Sequence, residues 1–358
     1  MKRLRVGVVG TGALGRHHAR IYSTLDTTEL VAVADTSSER GQAVADACRT
    51  RWFPDYRSLF GEVDAVSIAV PTVAHEAVAS EFLKRRIAVL VEKPLAATVA
   101  QAAALVAMAK DARTTLQVGH VERFNPAAQM ARGLAGSPRY IRAERTSPYA
   151  FRSTDIGVVL DVMIHDLDLI LDLVGSPVVD VEAFGVSILG ENEDCVQARL
   201  CFENGCVADL SANRVHPTSR RSMQIWSESG CVTVDFTTRE VTRYSPSERL
   251  LHGESPLERA RRPGADIEQL KSEIFGQYLR VERPDVSKAD ALMTELASFA
   301  DCVIHGRTPT VDGAAALAAI EVADRVLHSV AAHRWNRQAG GPMGPFLTGP
   351  IAKRSAAA

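Results

Sequence analysis

The chain has 358 residues, of which 46% are hydrophobic and 23% charged, with a formal net charge of −2. This length allows two domains, and the near-neutral charge argues against a nucleic-acid partner. The sequence contains no transmembrane-length apolar run and no signal-peptide pattern. We therefore expect a cytoplasmic protein with no membrane association. The six cysteines form no C-x-x-C pair, and we expect them to be reduced.

The first third of the chain alternates between strand-like and helix-like segments. Apolar runs typical of strands buried on both faces occur at 5–9, 30–34, 65–70, 88–92 and 115–119. Helical segments separate these runs, at 14–25, 38–48, 75–85 and 99–112. This alternation predicts an α/β fold with a doubly wound parallel sheet of the Rossmann type, which we assign to residues 1–120.

The pattern changes after about residue 120. Residues 155–174 are predicted to form one helix, and later helices are predicted at 287–305 and 312–332. Strands in antiparallel rhythm are predicted at 179–189, 195–202, 206–213, 221–228 and 231–236, with a short one near Tyr244. We assign 121–335 to a second α/β domain, expect loop with some helix at 246–284, and predict a disordered tail at 336–358.

A glycine-rich turn follows the first predicted strand and opens the first helix. Gly10 permits a tight turn, Gly12 lets the backbone approach a pyrophosphate, and Gly15 lets helix and strand pack closely. Asp35 ends the second strand about 20 residues further along, where a carboxylate binds the adenosine ribose and repels a 2′-phosphate. Since no arginine follows at once, we predict that the cofactor is NAD rather than NADP.

Candidate catalytic residues lie at a strand end and on a helix. Lys93 follows the fourth predicted strand, at the sheet edge where such folds bind ligands. Asp161 and His165 are four residues apart, so on a helix they share one face with Asp168. A carboxylate one turn away can orient the imidazole and favour its protonated form, an arrangement that suits a general base taking a hydroxyl proton near neutral pH. A solvated lysine and a hydrated acidic helix face remain the alternatives, and no metal site is predicted because no ligand cluster is visible.

Together these motifs resemble the Gfo/Idh/MocA family of NAD(P)-dependent sugar oxidoreductases. The glycine-rich fingerprint, segment 69–75 (AVPTVAH), the run Glu92-Lys93-Pro94 and the Asp161/His165 pair occur in the family's order. The sequence departs from many members before the catalytic helix, where Gly157 is the only glycine of segment 155–159.

The resemblance implies the fold of the second domain and the residues of the site. It implies a large, open, mostly antiparallel sheet and a homodimer or homotetramer. It places Lys93, Asp161 and His165 around the sugar carbon that loses hydride. The NAD site that it implies consists of Gly10, Thr11, Gly12, Ala13, Leu14, Gly15, Asp35, Pro71, Thr72, His75, Glu92 and Lys93.

Two further segments narrow the expected substrate. Segments 119–126 (GHVERFNP) and 212–221 (ANRVHPTSRR) resemble those of family members that oxidise the 3-hydroxyl of UDP-N-acetylglucosamine. Arginines can pair with a diphosphate, and asparagines can bind sugar hydroxyls or an acetamido group. We therefore expect a UDP-sugar substrate, bound by Lys93, Arg123, Asn125, Asp161, His165, Asn213, Arg214 and Arg221.

Other functions remain open from the sequence. Any single arginine can instead form a structural ion pair. The substrate can be UDP-N-acetylglucosaminuronate, or a free sugar or polyol such as inositol. The same fold can also serve a redox-silent NAD-binding regulator, although such a sensor has no chemical need for Lys93, Asp161 and His165.

Overall fold

The N-terminal part of the chain forms a parallel sheet, which confirms the predicted Rossmann fold. The computed structural model describes residues 3–151, 154–335 and 340–345. The six strands of this sheet are β1 (Leu4–Val9), β2 (Thr28–Ala34), β3 (Arg51–Phe53), β4 (Ala65–Ile68), β5 (Ala88–Glu92) and β6 (Leu116–Gly119). Their order is β3-β2-β1-β4-β5-β6, so the topology reverses between β1 and β4 and opens a ligand crevice beyond the strands' carboxyl ends.

Helices cover both faces of this sheet. Those within the first 120 residues are α1 (Gly15–Tyr22), α2 (Ser38–Cys48), α3 (His75–Leu83) and α4 (Val99–Ala112). Two of them begin at side-chain caps, because Ser37 accepts from the Arg40 amide and Thr98 from the Gln101 amide. These local signals explain why the helix positions follow from the sequence.

The second sheet has eight strands and is mostly antiparallel, also as predicted. After α5 (Pro126–Ala135), its strands are β7 (Pro138–Thr146), β8 (Val178–Val186), β9 (Cys195–Phe202), β10 (Val207–Asn213), β11 (Arg220–Ser227), β12 (Gly230–Asp235), β13 (Glu240–Pro246) and β14 (Leu279–Glu282). Their order is β14-β13-β12-β11-β7-β10-β9-β8, and only β7 and β10 pair in parallel. The sequence did not predict β7, although it lies at the centre of the sheet.

The predicted helix at 155–174 is two elements. A single π-helical turn (Val159–Met163) leads into α6 (Ile164–Val174). The remaining helices are α7 (Glu248–His252), α8 (Pro256–Ala260), α9 (Ile267–Glu273), α10 (Ala291–His305) and α11 (Gly313–Ala332). No helix among the described residues is long and apolar enough to span a membrane.

Helix α10 belongs spatially to the first sheet, although its residues lie in the predicted second domain. Its Leu296, Phe299 and Ala300 are buried in one cluster with Tyr22 and the residues of β1. The predicted tail also contributes structure. Met343 pairs with the end of β8 through hydrogen bonds to Gly185 and Ser187, so residues 340–345 differ from the predicted disorder. Residues 336–339 and 346–358 lie outside the described part of the chain.

Candidate active site

The glycine-rich turn at the end of β1 has the geometry of a dinucleotide site. A Cβ on Gly10 (φ +84°) would lie 2.5 Å from the Ala69 carbonyl oxygen, and one on Gly15 would lie 1.8 Å from the Gly10 carbonyl oxygen. These two glycines are therefore required by the turn itself. Gly12 has no atom within 4 Å of a Cβ position, so its backbone faces open space at the start of α1. This cradle fits the pyrophosphate of NAD.

Asp35 directly follows β2, beside this cradle, and is buried. Its Oδ2 accepts from Thr11 N at 2.8 Å and Thr11 Oγ1 at 2.7 Å, and its Oδ1 from Ser37 N at 2.8 Å. Burial favours the neutral acid, but these hydrogen bonds prevail and hold the pKa of Asp35 below its usual value. Sequence reasoning missed Arg40, a mostly exposed residue whose Nη2 lies 3.0 Å from Asp35 Oδ1.

Two loops meet at the carboxyl edge of the sheet. Pro71 and Thr72 begin the short turn that leads into α3, and Thr72 is buried. The buried His75 ring lies 2.8 Å from the Pro94 carbonyl oxygen and 2.9 Å from that of Val70. His75 thus connects the loop after β4 with the loop that carries Lys93, which is a positioning role within the implied NAD site.

A buried polar chain fixes Glu92, the last residue of β5. His18 on α1 lies between Ser67 Oγ, at 2.7 Å from its Nδ1, and Glu92 Oε1, at 2.9 Å from its Nε2. Burial opposes ionisation of Glu92, but the hydrogen bond with His18 prevails and the pKa of Glu92 is lowered. The sequence feature that could have indicated this contact is His18, three residues after Gly15 on the inward face of α1.

Lys93 and Asp161 meet in the crevice. Lys93 Nζ donates to the Asp161 main-chain oxygen at 2.6 Å and to Asp161 Oδ1 at 3.2 Å. Both side chains are mostly buried, at 13% and 22% exposure. The structure therefore brings two of the three predicted catalytic residues into direct contact.

His165 follows on α6, but Asp161 does not orient it as we expected. The Asp161 carboxylate, which lies in the π-helical turn, contacts Lys93 instead. The Nδ1 of His165 is buried without a hydrogen-bond partner among the described residues. Burial, with added repulsion from Lys93 and Arg145, lowers the pKa of His165 well below its usual value. The ring is thus neutral and able to accept a proton, contrary to the expected protonated form.

A buried ion-pair network lies behind His165. Arg145 on β7 binds Asp166 and Glu122, with Nη to carboxylate distances of 2.8 Å to each. Arg123 binds Asp168 through its Nε at 2.8 Å and also pairs with Asp172. The predicted acidic face of the helix is therefore largely neutralised by arginines from other elements.

Several predicted substrate residues have structural partners instead. The Arg123 side chain is only 8% exposed. Asn125 caps α5 through the Ala127 amide and donates to Glu122. Asn213 Oδ1 accepts from the Val215 amide. The polar groups of Arg123 and Asn125 are thus engaged inside the protein, and the amide oxygen of Asn213 is held by its own loop.

Arg214 holds in place the segment around Ile156, which precedes the π-helical turn. It binds Asp194 at 2.8 Å and the Ile156 carbonyl oxygen at 2.6 Å. A Cβ on Gly157 would lie 2.0 Å from Glu193 Oε1, and this oxygen accepts from the Val159 amide. The single glycine of the segment thus stands where the backbone must approach Glu193 closely.

Of the arginines predicted to bind the substrate, Arg221 is the one whose side chain remains available for a ligand. It is exposed on β11, directly opposite Arg145 in the sheet register, and its charge helps to lower the pKa of His165. Its side chain makes no hydrogen bond or ion pair with any residue that the structure describes. Within the described ranges, no group of three or more His, Cys, Asp or Glu is arranged to hold a metal.

The fold and the cradle define an oxidoreductase of the NAD-binding Rossmann class. Residues 4–120 match the family model described as "Oxidoreductase family, NAD-binding Rossmann fold", and residues 126–233 match the "GFO/IDH/MocA C-terminal domain". The chain belongs to the Gfo/Idh/MocA family, which confirms the resemblance seen in the sequence and NAD as the cofactor.

Individual relatives agree with this assignment. The chain is 37% identical over 316 residues to a UDP-N-acetylglucosamine 3-dehydrogenase from Acidithiobacillus ferrooxidans, covering 88% of this chain and 93% of that one. A solved structure of the Acidithiobacillus enzyme superposes with a TM-score of 0.80 at 36% identity, covering 92% and 98% of the two chains. The chain is also 26% identical to a scyllo-inositol 2-dehydrogenase (NAD(+)) from Bacillus subtilis, covering 89% of this chain and 92% of the relative.

Proposed function

We propose that this protein oxidises the 3-hydroxyl of UDP-N-acetylglucosamine, or of a close UDP-sugar, to the 3-keto sugar. The observation that carries the reaction class is the contact of Lys93 with Asp161 beside the neutral His165, at the carboxyl edge of an NAD-binding sheet. The choice of sugar is supported by the identity with the Acidithiobacillus enzyme.

Each residue has a chemical task in this proposal. A ring nitrogen of His165 takes the hydroxyl proton, which its lowered pKa permits near neutral pH. Lys93 donates a hydrogen bond to the same oxygen and stabilises the developing negative charge, while Asp161 holds the ammonium group in place. Bound NAD supplies the hydride acceptor. Arg221 offers an exposed cation to the diphosphate.

A panel of substrates tests this proposal. The purified protein is incubated with NAD and, separately, with UDP-N-acetylglucosamine, its uronate, free N-acetylglucosamine and inositol. We expect NADH absorbance and a 3-keto product by mass spectrometry with UDP-N-acetylglucosamine. Turnover of inositol alone would support the second candidate, a polyol dehydrogenase, which the Bacillus subtilis relative favours. Binding of NAD without turnover of any sugar would support the regulator.

We also propose that the protein is a cytoplasmic homodimer or homotetramer. The outward face of the second sheet carries Trp226 and Phe184 at 47% and 40% exposure, on strands whose opposite face is buried. A second copy packed on this face would remove these rings from water. Sedimentation velocity tests this proposal, and a monomer at micromolar concentration would contradict it.

A further inference from the structure

Glu295 is a fully buried acid that the proposed reaction does not use. It lies on α10, at 0% exposure, among apolar neighbours such as Leu296 and Phe299. Neither of its carboxyl oxygens has a hydrogen-bond partner among the described residues. An ionised carboxylate in such a place is costly, because nothing replaces the water that it loses.

The neighbouring polar groups complement the neutral acid and not the carboxylate. Gln117 on β6 donates its Nε2 to the Glu295 main-chain oxygen at 3.4 Å, and its own Oε1 is buried without a donor in the described structure. A carboxylate would leave two charged acceptor oxygens without a hydrogen-bond partner among the described residues, whereas the acid supplies one donor and keeps one acceptor. The acid O–H can therefore satisfy Gln117 Oε1, directly or through a water molecule.

The charges around Glu295 act in the same direction. Burial, then the carboxylates of Glu92 and Asp168, raise the pKa of Glu295 well above its usual value. The other titratable groups in this region are His18 and Tyr22 on α1 and His120 after β6. Burial raises the pKa of the Tyr22 hydroxyl, with Glu295 adding to the rise, so the hydroxyl keeps its proton. Burial lowers the pKa of His120, so its ring is neutral.

We propose that Glu295 is a protonated carboxylic acid at neutral pH and that it is a positioning residue for Glu92. A neutral Glu295 leaves Glu92 ionised against His18, at 2.9 Å. Glu92 Oε2 in turn accepts from the Lys93 main-chain amide at 3.2 Å. The acid on α10 thus acts on the Lys93 loop through Glu92. The effect on turnover depends on the proposed dehydrogenase function, whereas the protonation state does not.

Infrared difference spectroscopy tests the protonation state without any substrate. The spectrum of the wild-type protein minus that of Glu295→Gln at neutral pH is expected to show the C=O band of a protonated carboxyl group. Glu268→Gln is the matched control, because Glu268 is 82% exposed to water and pairs with Lys271, and its difference spectrum should show only carboxylate bands. Absence of the protonated band for Glu295 would overturn the proposal.

A titration tests the link to Glu92 and does not require Glu295→Gln to fold. The protonated band is followed with pH in the wild-type protein and in Glu92→Gln. Because a nearby negative charge is removed, the midpoint is expected to fall in Glu92→Gln. An unmoved midpoint would show that Glu92 does not act on Glu295.

Turnover tests the positioning role. Glu295→Leu cannot donate a hydrogen bond to Gln117 Oε1. It is expected to lower kcat by about 10- to 100-fold, because Gln117 lies opposite Leu90 on the strand that ends at Glu92 and leads into the Lys93 loop. Glu295→Gln, a neutral donor of similar shape, is expected to restore most of this loss. Equal losses of kcat in Glu295→Leu and Glu295→Gln, with cooperative melting of both variants, would overturn the role of Glu295 as a neutral donor. Absence of the protonated carboxyl band would contradict the proposal for Glu295, whereas absence of turnover with every sugar would contradict the proposed dehydrogenase function. The two failures are therefore distinguishable.

Discussion

The ammonium nitrogen of Lys93 lies 2.6 Å from the main-chain oxygen of Asp161, across 68 residues of sequence. Lys93 follows a strand of the first sheet, and Asp161 lies in the π-helical turn before α6. This contact joins the end of a strand in the nucleotide-binding sheet to the second domain. In the proposed reaction, this contact holds the Lys93 side chain where it would meet the sugar hydroxyl that is oxidised.

Removing the Lys93 charge should abolish most turnover. Lys93→Met is expected to lower kcat with UDP-N-acetylglucosamine by about 10²- to 10⁴-fold, because the developing oxyanion loses its donor. Binding of NAD, followed by fluorescence titration, should change little. Lys110→Met, at an exposed position on α4, is the control and should keep wild-type kcat. Retained turnover in Lys93→Met would exclude the proposed role.

The pH profile should report a neutral His165. A general base must be unprotonated, and the pKa of His165 lies below its ordinary value. Activity is therefore present above the lowered pKa and is lost only as pH falls through it. We expect the acidic limb of kcat/KM below about pH 6.5, the ordinary histidine value, measured with saturating NAD. An acidic limb centred above neutral pH would contradict this environment.

Cofactor choice should depend on Asp35 and Arg40 together. Asp35→Ser removes the ribose acceptor and the repulsion of a 2′-phosphate, and it releases Arg40 from its ion pair. We expect kcat/KM for NAD to fall about 10- to 100-fold, as for the loss of a charged hydrogen bond, while activity with NADP rises. The further change Arg40→Ala should remove the gain with NADP. An NADP response that is the same with and without Arg40 would show that this arginine does not bind the phosphate.

Arg221 should contribute to substrate binding more than to chemistry. Arg221→Gln is expected to raise KM for the UDP-sugar about tenfold, with a smaller effect on kcat. Its loss should also move the acidic limb to higher pH, because the Arg221 charge lowers the pKa of His165. Arg199→Gln is the matched control, since Arg199 is exposed on the same sheet but paired with Asp209 at 2.7 Å. Equal KM changes in the two variants would contradict a specific contact.

Local signals account for the parts of the fold that could be predicted. Except for the short β3, which was not predicted, the strands of the first sheet are short and mostly apolar runs, and capping residues begin several helices. β7 was missed because four of its nine residues are charged, including the buried Arg145. A strand of this kind shows its position only when its ion-pair partners, Glu122 and Asp166, are known.

The sequence alone determined the cofactor half of the protein. The turn at Gly10 and Gly15 and the carboxylate at Asp35 are specified by local backbone sterics and by their distance from one strand end. Only the tertiary structure decided which polar groups are free to act. Arg123 pairs with Asp168, and Arg214 pairs with Asp194. Asp161 pairs with Lys93 and not with His165. These partners are distant in sequence, and an ionised group in a buried site must be paired wherever the fold provides a counter-charge.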